Sequence, residues 1–179
     1  MKKISNYFLQ SKKISSIDDY IVEKLKLDKD TGKIKYNYHP EDKKELIDLL
    51  LKLLKERGGN ADLNDIDVSK ITDMSSLFYE VNRVPAVKNI DISSWDVSHV
   101  TNMNSMFYKC YNFNCDLSEW NVSNVIDMRH MFEFCHDFNI DYLNDWKLNE
   151  NAKIGDFIHG CTKGDVPKWY WDHWKKVGK

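Results

Sequence analysis

The sequence lacks any run of residues that could cross a membrane. Nowhere do about 18 apolar residues follow one another, the shortest length with which a helix spans a bilayer. The opening stretch, MKKISNYFLQSKKISSIDDY, lacks the continuous apolar core and the small-residue cleavage site of a signal peptide. Hydrophobic residues make up 42% and charged residues 30%, a composition typical of soluble globular proteins. We therefore expect a cytoplasmic protein that does not contact membranes.

Motifs for catalysis and for metal binding are missing as well. The sequence contains no G-x-S-x-G, no H-E-x-x-H, no phosphate loop and no G-x-G-x-x-G. The four cysteines include no C-x-x-C pair, which argues against zinc, and in the cytoplasm they are expected to be free thiols. No dense D-x-D-x-D loop for calcium occurs either. We therefore expect neither an enzyme nor a bound metal or cofactor.

What the sequence does contain is a repeated phrase. Residues 91–114 read DISSWDVSHVTNMNSMFYKCYNFN, and residues 116–139 read DLSEWNVSNVIDMRHMFEFCHDFN, so the same apolar positions recur 25 residues apart. Weaker copies precede and follow, which gives four repeats at 62–90, 91–115, 116–141 and 142–167. Cys110, Cys135 and Cys161 occupy one repeat position. They are expected to form a ladder of buried residues, in which a disulfide between neighbours is geometrically conceivable.

The spacing within a repeat predicts one short strand followed by one helical turn. Leu117, Trp120 and Val122 have the L-x-x-L-x-L spacing of a leucine-rich repeat, and the Trp-x-Val alternation suits a strand. From Val125 onward the apolar residues recur at intervals of three and four, which suits a helix. Because one such unit cannot bury its own apolar face, the copies should stack. The predicted fold class is an α/β-type repeat solenoid of four strand–helix units.

The consensus W-[DN]-V-S-x-V-x-[DN]-M-x-x-M-F-x-x-C-x-x-F-N closely resembles the BspA-like leucine-rich-repeat proteins. The resemblance covers residues 62–164, and the stretch from Tyr38 to Met74 is similar to the entry into that family's first repeat. It implies a leucine-rich-repeat fold and a role in adhesion or protein binding. Members of the family are usually large surface or secreted proteins.

The flanking segments are predicted to cap the repeats. Residues 41–57 carry leucines on one helical face and form, within 1–60, the N-terminal capping helix. Before it, the pattern favours a β-hairpin or a short helix within 16–38, preceded by a basic arm in the first fifteen residues. After the repeats at 61–167, the aromatic segment 168–179 either caps the last repeat or anchors a partner through Trp171 and Trp174.

Two columns of positions should face outward along the repeats, and they are mostly acidic. Residues 61–164 hold sixteen Asp and Glu against eight Lys and Arg. The first column comprises Asp65, Ser94, Glu119 and Asp145, and the second comprises Asp67, Asp96, Asn121 and Lys147. These columns are either a merely solvated face or an acidic recognition surface for a basic protein. The same charge would repel nucleic acid.

These features favour a non-catalytic protein-binding scaffold, an intracellular adaptor or steric inhibitor. Its partner would be another protein with a basic surface, for example a nucleic-acid-binding protein. One alternative is a nucleic-acid-associated protein that uses residues 1–40. This segment contains nine lysines and only five acidic residues, and its lysines are interleaved with tyrosines. Another alternative is a fragment of a cell-surface adhesin.

Overall fold

The computed structural model describes residues 35–81 and 89–177. The chain divides into two compact parts, Met1–Asn37 and Tyr38–Lys179. The hairpin or helix expected within 16–38 lies almost wholly outside the described residues, and so does the basic arm. The described helices and repeats all belong to the second part.

Three α-helices and one 3-10 turn are present among the described residues. Helix α1 spans Lys43–Arg57, helix α2 spans Leu77–Val81, and helix α3 spans Lys168–Val177. The 3-10 turn spans Ile140–Leu143. Asp42 caps α1, because its side chain accepts a hydrogen bond from the N–H of Glu45. The helix expected over 41–57 therefore begins two residues later than the sequence pattern suggests.

The predicted solenoid of four strand–helix units is wrong. The described part of the chain contains no sheet, and its parallel pairings are isolated bridges such as Asp62 with Asp91, Asp73 with Asn102, and Asn102 with Asp127. Of the four repeats, only the first contains an α-helix in the described residues, the short α2. The second and third repeats consist mainly of turns and isolated bridges where a strand and a helical turn were expected.

Side-chain hydrogen bonds explain why the repeat forms turns. In the second repeat, Asp91, Asp96 and Asn102 each accept with Oδ1 a bond of 3.0 Å from the backbone N–H two residues later. These bonds compete with regular strand and helix pairing. The Trp-x-Val stretch is likewise closed by local turns, since the N–H of Trp95 donates to the carbonyl of Ile92. A turn every five or six residues leaves no room for a longer element.

Neighbouring repeats are joined by rows of backbone hydrogen bonds, which we call donor rows. In the second repeat, N–H groups two residues apart donate to carbonyl oxygens of the third repeat, at 2.8–2.9 Å. The donors are Met103, Ser105, Phe107 and Lys109, and the acceptors are Asp127, Arg129, Met131 and Glu133. Each repeat also has a residue with positive φ at one position: Ser76, Ser105, His130 and Asp156. Such left-handed residues turn successive N–H groups toward the same side.

The core consists of side chains that repeat in columns. Phe78, Phe107 and Phe132 are fully buried, and their rings stack at 5.0 and 5.3 Å. A tryptophan column runs beside them, in which each indole N–H donates to a carbonyl of the preceding repeat. The donor–acceptor pairs are Trp95 with Leu63, Trp120 with Ile92, and Trp146 with Leu117. The apolar register of the repeat thus specifies the core although most of the repeat backbone is neither strand nor helix.

Helix α3 extends the tryptophan column beyond the last repeat. The indole N–H of Trp169 donates to the carbonyl of Leu143 at 2.7 Å, in the same relation that the repeat tryptophans have to their acceptors. The ring of Tyr170 stacks on Phe157 at 6.4 Å between centroids. Helix α3 therefore covers the apolar end of the fourth repeat.

Candidate protein-binding surfaces

Asp65, expected on the recognition face, is buried and belongs to the join between α1 and the first repeat. It retains only 4% exposure. Arg57, the last residue of α1, binds both of its carboxylate oxygens, at 2.8 and 2.9 Å. The hydrogen bond to Asp65 is also the main reason why the pKa of Arg57 is raised. The repeat register places Asp65 outward, but the end of α1 lies over it, so Asp65 is removed from the candidate surface.

Asp67 and Asp96 occupy the same position in neighbouring repeats, and both are held by local hydrogen bonds. The Oδ1 atom of each accepts a 3.0 Å bond from a backbone N–H, that of Ser69 for Asp67 and that of Ser98 for Asp96. The Oδ2 atom of Asp67 also lies 3.2 Å from Nδ1 of His39. Both carboxylates therefore have fixed positions.

These two carboxyl groups stay ionised at neutral pH. Hydrogen bonds from Ser98 lower the pKa of Asp96, and the nearby charge of Asp67 opposes them only in part. Partial burial works against ionisation of Asp67, but bonds from Ser69 and His39 outweigh it, so the pKa of Asp67 is lowered as well. Two negative charges within electrostatic reach of each other are thus built into the surface.

Farther along the repeats the second column loses its acidic character, whereas the first keeps it. Asn121 follows Asp96, and its Oδ1 accepts bonds from the N–H and the hydroxyl of Ser123, at 3.2 and 2.7 Å. In the fourth repeat Lys147 takes this position and is exposed. In the other column Ser94, Glu119 and Asp145 are all exposed. We call Asp67, Asp96 and Glu119 the acidic strip.

A row of aromatic rings, exposed at its two ends and half-buried in the middle, lies elsewhere on the repeats and was not predicted from the sequence. Tyr79, which is 43% exposed, lies 5.3 Å from Tyr108, and Tyr108 lies 6.2 Å from Phe134. Phe134 in turn lies 5.5 Å from His159. We call these four residues the aromatic row. Their repeat positions differ, because Phe134 matches Lys109 in the register and not Tyr108, so aligning the repeats does not reveal the row.

The two tryptophans considered as anchors have different surroundings. Trp174 is half-buried and packs against the core. Trp171 is 52% exposed, and its ring meets that of Tyr170 edge-on at 5.1 Å. Trp174 therefore belongs to the contact of α3 with the repeats, whereas Trp171 is available to a partner.

The cysteines are free, and burial makes them poor nucleophiles. Burial raises the pKa of Cys110 to about 12 and that of Cys115 to about 11. The thiol of Cys135 donates to the carbonyl of Phe107 at 3.0 Å, and the thiol of Cys161 donates to that of Phe132 at 3.2 Å. In these contacts the ladder cysteines pack as small side chains of the core.

Residues 35–81 and 89–177 contain no cluster of side chains suited to a metal ion. In these ranges no three His, Cys, Asp or Glu side chains come together in a way that could hold one. None of the helices described there combines the length and the apolar character needed to cross a membrane.

Comparison with known proteins places the chain in a family but gives no function. No curated protein matches the chain, and no solved structure matches it. The resemblance to BspA-like proteins therefore stays a prediction. A family model described as "Mycoplasma protein of unknown function, DUF285" matches residues 51–169, about two thirds of the 179 residues, from the middle of α1 to the start of α3. The chain belongs to the DUF285 family.

Proposed function

We propose that this protein is a non-catalytic binding module that recognises a basic surface of another protein through the acidic strip. The observation that carries the proposal is the pair of ionised, hydrogen-bonded carboxylates of Asp67 and Asp96 in neighbouring repeats. Charge complementarity of this kind accelerates encounter and excludes partners of the wrong sign.

The way these carboxylates are held favours recognition over simple solvation. A side chain that is free in solution loses rotamer freedom when it binds, which costs about 0.5–1.5 kcal/mol. Asp67 and Asp96 are already fixed by hydrogen bonds from Ser69 and Ser98. Most of their rotamer freedom is therefore lost when the protein folds and is not lost again on binding. A partner would meet carboxylates at set positions in successive repeats.

A steric role fits the chemistry of the described residues. The thiols of Cys110 and Cys135 are buried, and burial raises the pKa of each, so neither is a ready nucleophile. The aromatic row adds exposed tyrosine, a residue type enriched where protein interfaces concentrate their binding energy. The protein would therefore act on a partner by covering part of its surface, as an adaptor or an inhibitor.

A charge-removing double variant tests the acidic strip without disturbing the turns. In Asp67→Asn with Asp96→Asn, each amide oxygen can still accept the turn hydrogen bond, as Asn121 does naturally in the third repeat. The matched control is Asp48→Asn with Asp172→Asn, which removes two exposed charges outside the strip. Binding is measured by fluorescence anisotropy with a labelled peptide of alternating lysine and serine.

The strip variant should bind this peptide about fivefold more weakly than the wild type at low salt, since each exposed ion pair contributes about 0.5 kcal/mol. Its affinity should also depend less on salt. Equal loss in the strip variant and the control variant would show that only net charge matters, and the strip would then not be the binding site. Single-stranded RNA should bind more weakly than the peptide, and the opposite order would favour the nucleic-acid alternative.

A further inference from the structure

The donor row of the fourth repeat has no acceptor among the described residues. In the third repeat the N–H groups of Met128, His130, Phe132 and Phe134 donate to carbonyls of Lys153, Gly155, Phe157 and His159 at 2.7–2.9 Å. The corresponding N–H groups of the fourth repeat belong to Ile154, Asp156, Ile158 and Gly160. No hydrogen bond joins any of these four N–H groups to another residue that the structure describes.

Helix α3 lies beside this row without satisfying it. Its polar contacts with the fourth repeat are made by side chains to other groups: Trp169 donates to the carbonyl of Leu143, and Nε2 of His173 lies 2.7 Å from the carbonyl oxygen of Ala152. Lys176 makes a further ion pair with Glu150 at 3.4 Å. The helix thus covers the apolar end of the core but leaves the donor row open.

A cavity of about 210 Å³ lies next to the open row, and its walls are partly polar and partly apolar. Asp156 and Ile158, two residues of the row, line it together with Val166, Tyr170 and Trp171. Val166 is 40% and Trp171 is 52% exposed, which makes them two of the most exposed large apolar side chains described. Unpaired backbone donors and a recess with an apolar side at Val166 and Trp171 therefore occur at the same place.

We propose that this edge binds an extended segment of a partner protein, which adds to the fourth repeat as a further rung. Alternate carbonyl oxygens of the segment would accept hydrogen bonds from the N–H groups of Asp156, Ile158 and Gly160. A large apolar side chain of the segment would enter the recess beside Val166 and Trp171. Binding of a peptide backbone to an unpaired edge is a general mode of peptide recognition.

The chemistry of the occupant follows from contacts that already exist within the chain. The open row continues the rows of the three preceding repeats, and each of those is occupied by a peptide segment that supplies carbonyl oxygens at alternate residues. A row made only of donors is complementary to carbonyl oxygens. The segment that serves this purpose for the second repeat is 126–134, IDMRHMFEF, which also provides methionine and phenylalanine for the core.

A second copy of the chain is a poorer occupant. Its matching acceptor edge would be the corresponding stretch of the first repeat, around Asp73 and Ser75. There, Lys43 of α1 donates to Oγ of Ser75 at 2.8 Å and pairs with the carboxylate of Asp73 at 3.6 Å. Helix α1 therefore obstructs that edge, and head-to-tail stacking of two copies would have to displace it.

The test uses a synthetic peptide with the sequence of residues 126–134 and amide exchange of the full chain measured by NMR. Saturating peptide should slow exchange at Asp156, Ile158 and Gly160 by about tenfold or more, because each N–H gains an acceptor. Trp171→Ala should weaken peptide binding about tenfold. Tyr111→Ala, which truncates an aromatic ring that is 46% exposed elsewhere, should leave binding unchanged.

Three outcomes would overturn the proposal. Unchanged exchange at the three amides with millimolar peptide would show that the edge accepts no such segment. Equal protection by a scrambled peptide would show that the recess binds apolar peptides regardless of their sequence. Protection that rises with protein concentration in the absence of peptide would identify a second copy as the occupant. Val166→Ser serves as a second wall variant should Trp171→Ala unfold, and none of these results depends on the acidic strip.

Discussion

Arg57 and Asp65 form a bidentate ion pair that holds the end of α1 against the first repeat. Both guanidinium Nη atoms bind the carboxylate, at 2.8 and 2.9 Å, and the side chain of Asp65 is only 6% exposed. The same guanidinium also lies 5.6 Å from the centre of the Tyr38 ring. The apolar face of α1 is thereby held in place by a polar contact at the end of the helix.

Asp65→Asn should lower the free energy of unfolding by about 2 kcal/mol, because it removes the charge that compensates a partly buried guanidinium. Urea denaturation followed by circular dichroism measures this loss. The control is Asp145→Asn, which removes an exposed carboxylate of the same column and should change stability by less than about 0.5 kcal/mol. Equal effects of the two variants would mean that the ion pair does not fasten the helix.

Trp169→Phe tests whether α3 continues the tryptophan column. Phenylalanine keeps an aromatic ring beside Phe157 but removes the indole N–H that donates to the carbonyl of Leu143 at 2.7 Å. A carbonyl that loses its donor in a partly buried place costs about 1–2 kcal/mol of stability. Trp171→Phe, at a residue that is 52% exposed, should cost almost nothing in the same thermal unfolding experiment. A loss of similar size in both variants would contradict the assignment of Trp169 to the column.

The repeat register was enough to predict which side chains form the core. Trp95 and Trp120 recur 25 residues apart, as do Phe107 and Phe132, and all four are at most 4% exposed. Burial depends on side-chain character at a fixed repeat position, which a sequence displays directly. The leucine spacing predicted the helix within 41–57 but not its start, which the Asp42 cap sets two residues later.

The backbone of the repeats could not be read in the same way. A Trp-x-Val alternation and apolar spacings of three and four are compatible with strand and helix, but the Asp and Asn side chains at Asp91, Asp96 and Asn102 close turns instead. The prediction that Asp65 lies on the exposed face was wrong for a related reason, since its contact with Arg57 depends on where α1 ends. Contacts of this kind, between distant parts of the chain, produce no periodic pattern in the sequence.

Replacing Ser76 with glycine should stabilise the folded protein. Its φ of 54° lies in the left-handed region, which costs a residue with a Cβ roughly 1 kcal/mol. Ser76→Gly should therefore raise stability by about 0.5 kcal/mol after the greater freedom of the unfolded chain is subtracted, whereas Ser76→Val should lower it by more than about 1 kcal/mol. Ser118→Gly, at a residue without positive φ, should lower stability by about 0.5 kcal/mol. Thermal melts that show the same sign for both glycine variants would refute this account.

The cysteines should resist alkylation in the folded protein. Burial raises the pKa of Cys115 to about 11 and that of Cys161 to about 12, so very little thiolate forms at pH 8. With iodoacetamide we expect all four cysteines to react at least about a hundredfold more slowly in the native protein than in urea, since the thiolate is the reactive species. Mass spectrometry of quenched samples measures the rates. A single fast cysteine in the native state would show that its burial is transient.

The raised pKa of Cys110 also predicts how stability changes in alkaline solution. The pKa is about 12 in the folded state against 9.0 for an unperturbed thiol, so folding favours the protonated form. This contribution to stability is fully present below about pH 9 and is lost as the pH rises toward about 12. Cys110→Ala lacks it and should cost about 1 kcal/mol at pH 7 through lost packing. The stability gap between wild type and variant in urea titrations should therefore narrow steadily above about pH 9, because only the wild type has this thiol to deprotonate on unfolding. A gap that stays constant up to about pH 11 would mean that Cys110 is solvated in the native state.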